Sequence, residues 1–192
     1  MLHSRIFTFN PIGTNCIVLW TDGQNACTVV DPGMSSDEGV QELADFLRAH
    51  SLMPDAIFLT HGHFDHVWGV EKLLKLYPVP VYMHPADKGI LADGSSVFKG
   101  MTGFKVFQHH IDTTDVADGE VLSSAGTGWT VLHTPGHTPG CVCYYSALDN
   151  LLLSGTPSLP AASAAPILEA EITTSSCSPS GRNCSPFPVI RM

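Results

Sequence analysis

Seven consecutive residues, Thr60-His61-Gly62-His63-Phe64-Asp65-His66, carry three imidazoles and a carboxylate. Imidazole nitrogen suits zinc, iron and nickel, and a carboxylate widens the choice to manganese. A lone histidine is usually structural; four ligand-type side chains at this spacing point to a metal centre instead. Gly62 lets the backbone turn tightly between two of the candidate ligands. The apolar run Ala56–Leu59 reads as a buried strand that delivers the cluster to a loop at its C-terminal end, where open α/β sheets place their sites.

The segments around this loop read as alternating strands and helices. Arg5–Phe9 alternates, Asn15–Trp20 is largely apolar, and Ala26–Val30 follows the turn at 21–24. Polar residues 35–38 open a helix whose apolar positions Val40, Leu43, Ala44 and Leu47 lie on one face. A second helix is expected over Val67–Leu76, a strand over Val79–Met83 and a short helix over Pro85–Leu91. Further strands are expected at Lys105–Gln108, Glu120–Leu122 and Trp129–His133. Cys141–Ser146 and Leu151–Leu153 form a hairpin through 148–150. The class is α/β.

The 192 residues, 44% hydrophobic, suit one globular domain. A formal net charge of -9 disfavours nucleic acid and anionic membrane surfaces as partners and suits a bound cation. No apolar run approaches the ~20 residues of a membrane span, and residues 1–10 lack the apolar stretch of a signal peptide. The expected compartment is the cytoplasm. The six cysteines contain no CxxC pair and read as reduced thiols.

His61, His63, Asp65 and His66 together form the HxHxDH signature of the metallo-β-lactamase superfamily, which the chain resembles. The segments 15–19 and 30–33 look like that family's opening hairpin. His133-Thr134-Pro135-Gly136-His137-Thr138-Pro139-Gly140 looks like its second metal segment and, within the superfamily, most like the glyoxalase II (hydroxyacylglutathione hydrolase) branch. The resemblance covers residues 3–155. It implies an αββα sandwich and two metal sites, zinc with iron or manganese as alternatives. It makes His61, His63 and His137 the ligands of site 1, and Asp65 and His66 ligands of site 2. Asp31 matches a buried aspartate that supports the site from behind its ligands. The implied reaction is hydrolysis of a small-molecule thioester by a metal-activated water, with Asp65 orienting that water. His84, His109, His110 and His133 match no ligand.

The family's next metal segment reads roughly Leu-Leu-Ser-Gly-Asp-Thr-Leu-Phe, and its Asp bridges the metals. Here Leu152-Leu153-Ser154-Gly155 is followed by Thr156-Pro157-Ser158-Leu159, and no histidine follows His137. Codons permitted for Thr156–Ile167, read one base earlier, spell Asp-Thr-Leu-Phe-Ala-Gly-Ser-Ile-Gly-Arg-Thr-Asp, which is how the family continues. The expectation is a domain over 1–155 that lacks its C-terminal portion, followed by an out-of-frame, poorly packed tail over 156–192, rich in proline and serine. Two readings of function stand side by side. One is a dinuclear thioester hydrolase, with lactonase and persulfide dioxygenase relatives as variants. The other is a truncated remnant that binds at most one metal.

Overall fold

The computed structural model describes residues 1–93 and 111–155, and the backbone of Val189–Arg191. The candidate strand Lys105–Gln108, His109, His110 and most of 156–192 lie outside the described residues.

Strands β1 (Leu2–Thr8), β2 (Asn15–Thr21), β3 (Ala26–Val30), β4 (Met53–Phe58), β5 (Val81–Met83) and β6 (Thr114–Asp115) form one sheet in that order. The first three are antiparallel neighbours. From β3 to β6 each pairing is parallel. A second sheet runs β11 (Val189–Arg191), β10 (Leu151–Ser154), β9 (Val142–Ser146), β8 (Thr127–His133) and β7 (Val121–Ser124), with β11 parallel to β10 and the remaining pairs antiparallel. Leu152–Ser154 thus has a backbone partner within the 156–192 segment.

Period-two alternation divides the side chains of the first sheet between two cores. From β2, Ile17 and Leu19 enter the space between the sheets, where Phe58, Trp129, Val131, Val142, Tyr144 and Leu153 meet them. Cys16 and Val18 face the other way, toward α1 (Asp37–Ala49) and α3 (Val70–Leu76). Burial on both faces explains why these strands read as continuous apolar runs. The Phe58 ring stacks on Tyr144 at a centroid distance of 4.6 Å, and the Tyr144 hydroxyl donates to the Leu59 carbonyl at 2.8 Å. That contact ties the second sheet to the end of β4, one residue before the His-rich loop.

Helix α1 follows the sequence reading. The Ser36 hydroxyl caps it by accepting from Gly39 N, Asp37 and Glu38 occupy the first turn, and Val40, Leu43, Ala44 and Leu47 are buried. Full burial of Leu43 and Leu47 contributes about 1.5–3 kcal/mol each before entropic costs. The single helix expected over Val67–Leu76 is instead two, α2 (Phe64–Val67) and α3. The break is tertiary in origin. Gly69 N donates to Pro32 O at 2.8 Å, and a Cβ on Gly69 would lie 2.7 Å from that oxygen. The short helix expected at Pro85–Leu91 is a 3-10 turn over Pro85–Asp87 running into α4 (Lys88–Asp93). Among the described residues no helix is long and apolar enough to cross a membrane.

Candidate metal centre

The His-rich loop leaves β4 at the edge of the inter-sheet core, so its first residues are buried, residues 63–65 are half-buried, and His66 turns back into the interior. His61 is fully buried, His66 nearly so, and His137 is exposed. His137 arrives from the turn after β8. Ligand atoms of His61, His63 and His137 all lie within 4.8 Å of one another, and His63 Nδ1 stands 2.9 Å from His137 Nε2. These three side chains, drawn from two loops 74 residues apart, meet where the sequence reading placed site 1.

Behind them Asp31 organises the buried half of the site. Its Oδ1 accepts from Thr60 N at 2.8 Å, and its Oδ2 accepts from the Thr60 hydroxyl at 2.6 Å and faces His66 Nδ1 at 2.6 Å. Asp31 has φ 45, in the left-handed region that aspartate tolerates better than most residues. Its hydrogen bonds offset that strain.

The network fixes two tautomers. The Thr60 hydroxyl spends its proton on Asp31, so its oxygen accepts from His61 Nδ1, 3.1 Å away. His61 Nε2 then carries a bare lone pair, and this buried atom has no hydrogen-bond partner. An unpaired polar atom in a dry interior costs on the order of 1–3 kcal/mol unless something satisfies it. His66 Nδ1 likewise gives its proton to Asp31, which leaves His66 Nε2 facing Asp65 Oδ2 at 3.4 Å. Asp65 is held from outside: Oδ2 accepts from the Thr14 hydroxyl at 2.6 Å, and its carbonyl accepts from Asn10 Nδ2 at 3.0 Å. Asp65 and His66 therefore face each other beside the three-histidine cluster. Asp31, His61 and His66 make a second close group.

Electrostatics keep the cluster in a ligand-ready state. Burial, reinforced by the neighbouring rings of His66, His63 and His137, holds His61 far below the usual imidazole range. Burial also lowers His63 and His137. At His66 burial works against the charged form, but the charge and hydrogen bond of Asp31, with Asp65 adding, outweigh it and raise its proton affinity. Depressed proton affinities at His61, His63 and His137, with the bare Nε2 of His61 among them, fit a divalent cation; His66, held by Asp31 and Asp65, would have to give up a proton to join them.

His84 and His133, read from sequence as non-ligands, stack on each other at 4.0 Å, and His133 Nε2 pairs with the Pro139 carbonyl. The sequence reading missed Asp87, Thr60, Thr14 and Asn10. Asp87 is fully buried and bonds to both ligand-bearing loops, yet in sequence it looks like an ordinary acidic residue at a helix start.

Comparison with known proteins agrees with this geometry. The family model described as the metallo-beta-lactamase superfamily matches residues 9–172. The probable metallo-hydrolase YqgX of Bacillus subtilis is 37% identical over 152 residues, covering 79% of this chain and 69% of its own length. The hydroxyacylglutathione hydrolase of Salmonella typhi is 36% identical over 69% of this chain, which spans only 43% of that enzyme. Among solved structures, the BLEG-1 B3 metallo-beta-lactamase superposes with a TM-score of 0.69 at 31% identity, covering 80% of this chain and 71% of its own. TTHA1623, solved in a di-iron-bound form, gives 0.66 at 29%, with 79% and 71% covered. Fold, clustered histidines and relatives agree: the chain belongs to the metallo-β-lactamase superfamily and has the metallo-hydrolase fold of that family's enzymes.

Proposed function

We propose that His61, His63 and His137 hold a divalent metal, zinc first with iron or manganese as alternatives, and that the site serves hydrolysis of a small-molecule thioester of the hydroxyacylglutathione class. The observation that carries this reading is the convergence of the three imidazoles around the unpartnered His61 Nε2. A divalent ion held there supplies Lewis acidity, which makes a water more acidic and polarises a carbonyl. The chain's own residues do the rest. Asp31 and Thr60 keep the His61 proton on Nδ1, and Asp31 keeps that of His66 on Nδ1. Asp65, pinned through Thr14, presents a carboxylate beside His66 that can accept a proton from the attacking water. The thioester class rests on the HTPGHTPG segment and on the hydroxyacylglutathione hydrolase relatives. Lactonase chemistry would use the same ligands, whereas a persulfide dioxygenase would use His61 and His63 with a later aspartate, in whose place this chain has Thr156. Nucleic acid and membrane are not proposed as partners, and the proposed setting is the cytoplasm on the sequence grounds given above.

A second reading concerns how much of the site this chain completes. Gly155 lies against it: a Cβ there would stand 2.6 Å from Thr60 Oγ1 and 3.4 Å from His61 Nδ1. The next residue is where the family places its bridging aspartate, and here it is Thr156. We propose that a base lost at the Gly155 codon puts residues 156–192 out of frame, and that the chain as it stands is a truncated remnant holding at most one metal per molecule. Metal analysis with assays on a thioester and lactone panel, for this chain and its frame-restored counterpart, tests both readings. Two tightly held metals and full activity in the 192-residue chain would overturn the second. Absence of metal from both proteins would overturn the first.

A further inference from the structure

Asp87 is a buried carboxylate whose oxygens are well supplied with donors. Oδ2 accepts from Gly62 N at 2.8 Å and from the Thr138 hydroxyl at 2.7 Å, and Oδ1 accepts from Gly140 N at 2.7 Å. Such charge-assisted bonds are about twice as strong as neutral ones, and they are what allows a charge to be buried at all. The donors are informative by position. Gly62 lies between His61 and His63, while Thr138 and Gly140 lie just past His137. One side chain thus spans the two loops that carry the three imidazoles.

The surroundings are built for this span. Asp87 ends the 3-10 turn over Pro85–Asp87, whose start is capped by His84 Nδ1 accepting from Ala86 N. Both glycines make room for it. A Cβ on Gly140 would stand 2.6 Å from the Asp87 carboxyl carbon, and one on Gly62 would stand 2.9 Å from the Asp87 carbonyl. Thr138 is locked in turn, because its amide and hydroxyl both contact Cys141 Sγ. The negative charge also reaches the rings of His63 and His137, where it opposes the effect of burial.

We propose that Asp87 is a positioning residue for the metal centre: by clamping the Gly62 and Thr138–Gly140 backbones to one carboxylate, it sets the approach of His137 to His61 and His63 before any ion arrives. The inference rests on the three-histidine reading of the preceding subsection. Asparagine cannot replace the carboxylate. Its amide nitrogen would face a backbone N–H at either oxygen position, so one loop must let go.

The test measures Zn2+ affinity by chelator competition, and the Co2+ absorption spectrum, on the full 192-residue chain and its variants. Asp87→Asn should weaken Zn2+ binding about 10–100-fold, the range seen when partners behind metal ligands are removed, and should alter the Co2+ spectrum. Leu47→Ala, in the buried face of α1, should lower the melting temperature while leaving both readouts as in the parent. Thr138→Val keeps the carboxylate and removes one of its three donors. It should weaken Zn2+ binding about two- to tenfold, and it provides the reading if Asp87→Asn does not fold. Parent-like Zn2+ affinity and Co2+ spectrum in folded Asp87→Asn, or in Thr138→Val, would overturn the clamp while leaving the three-histidine centre standing. A parent chain that binds neither ion would overturn the centre itself, and the clamp with it.

Discussion

Asp31 grips Thr60 with both carboxylate oxygens, Oδ1 on its amide at 2.8 Å and Oδ2 on its hydroxyl at 2.6 Å. The hydroxyl oxygen in turn faces His61 Nδ1. A residue of no ligand chemistry thus sets the tautomer of the most buried candidate ligand. Thr60→Val should cost about 1–3 kcal/mol of stability, because it strips one donor from Asp31 and the acceptor from His61. It should also weaken Zn2+ binding about 10–100-fold. Denaturant titration and chelator competition check the two effects separately; an unchanged Zn2+ affinity would show that the His61 tautomer does not depend on Thr60.

Acid should unfold the metal-free protein earlier than its carboxylates alone require. His61, His63 and His137 have folded-state proton affinities below the free imidazole value of 6.5. Their contribution is present above that value and is lost as the pH falls below it, because the unfolded chain takes up protons that the folded chain refuses. His66 runs the other way: its raised affinity contributes fully below 6.5, and that contribution is lost as the pH rises through its folded value. Melting temperatures of the metal-free protein should decline from about pH 6.5 downward, and His61→Leu should flatten the decline. An identical slope in the variant would remove His61 as its source.

Two glycines separate packing from propensity. Gly69→Ala places a Cβ 2.7 Å from the Pro32 carbonyl and 3.0 Å from the Met34 side chain, so it should destabilise the chain and displace the start of α3. Gly89 lies within α4, where an added Cβ would meet nothing within 4 Å, and Gly89→Ala should stabilise by about 0.5–1 kcal/mol. Denaturant midpoints of the two variants should move in opposite directions.

Restoring the reading frame after Gly155 should raise metal content toward two per chain and increase thioester hydrolysis by several orders of magnitude over this chain, the scale on which members of a catalytic unit act together. Gene sequencing together with metal analysis of both proteins decides the matter. A gene whose downstream frame cannot be restored would remove the explanation.

The sequence carried the site unevenly, for reasons visible in particular residues. His61, His63, Asp65 and His66 are legible because four ligand-type side chains crowd one loop after an apolar strand. Helix α1 is legible because its apolar spacing and its Ser36 cap are local signals. His137 has no local link to His63, 74 residues away, and only the family resemblance reached it. Asp87 was invisible because an acid in a first helical turn is ordinary, as a complement to the helix dipole. The break between α2 and α3 was invisible because Pro32, which forces it, lies far away in sequence. The two-residue strand β6 is too short to show any periodicity.

The central claim is that imidazoles from two separate loops share one metal, and His137 tests it most directly. Zn2+ content and affinity should be measured on the parent chain and on His137→Ala, with circular dichroism confirming that both are folded. The account predicts about one Zn2+ per parent chain and a loss of at least about 100-fold in affinity on removing this exposed side chain, since only His61 and His63 would remain of the site 1 ligands. A folded His137→Ala that binds Zn2+ as tightly as the parent would contradict it.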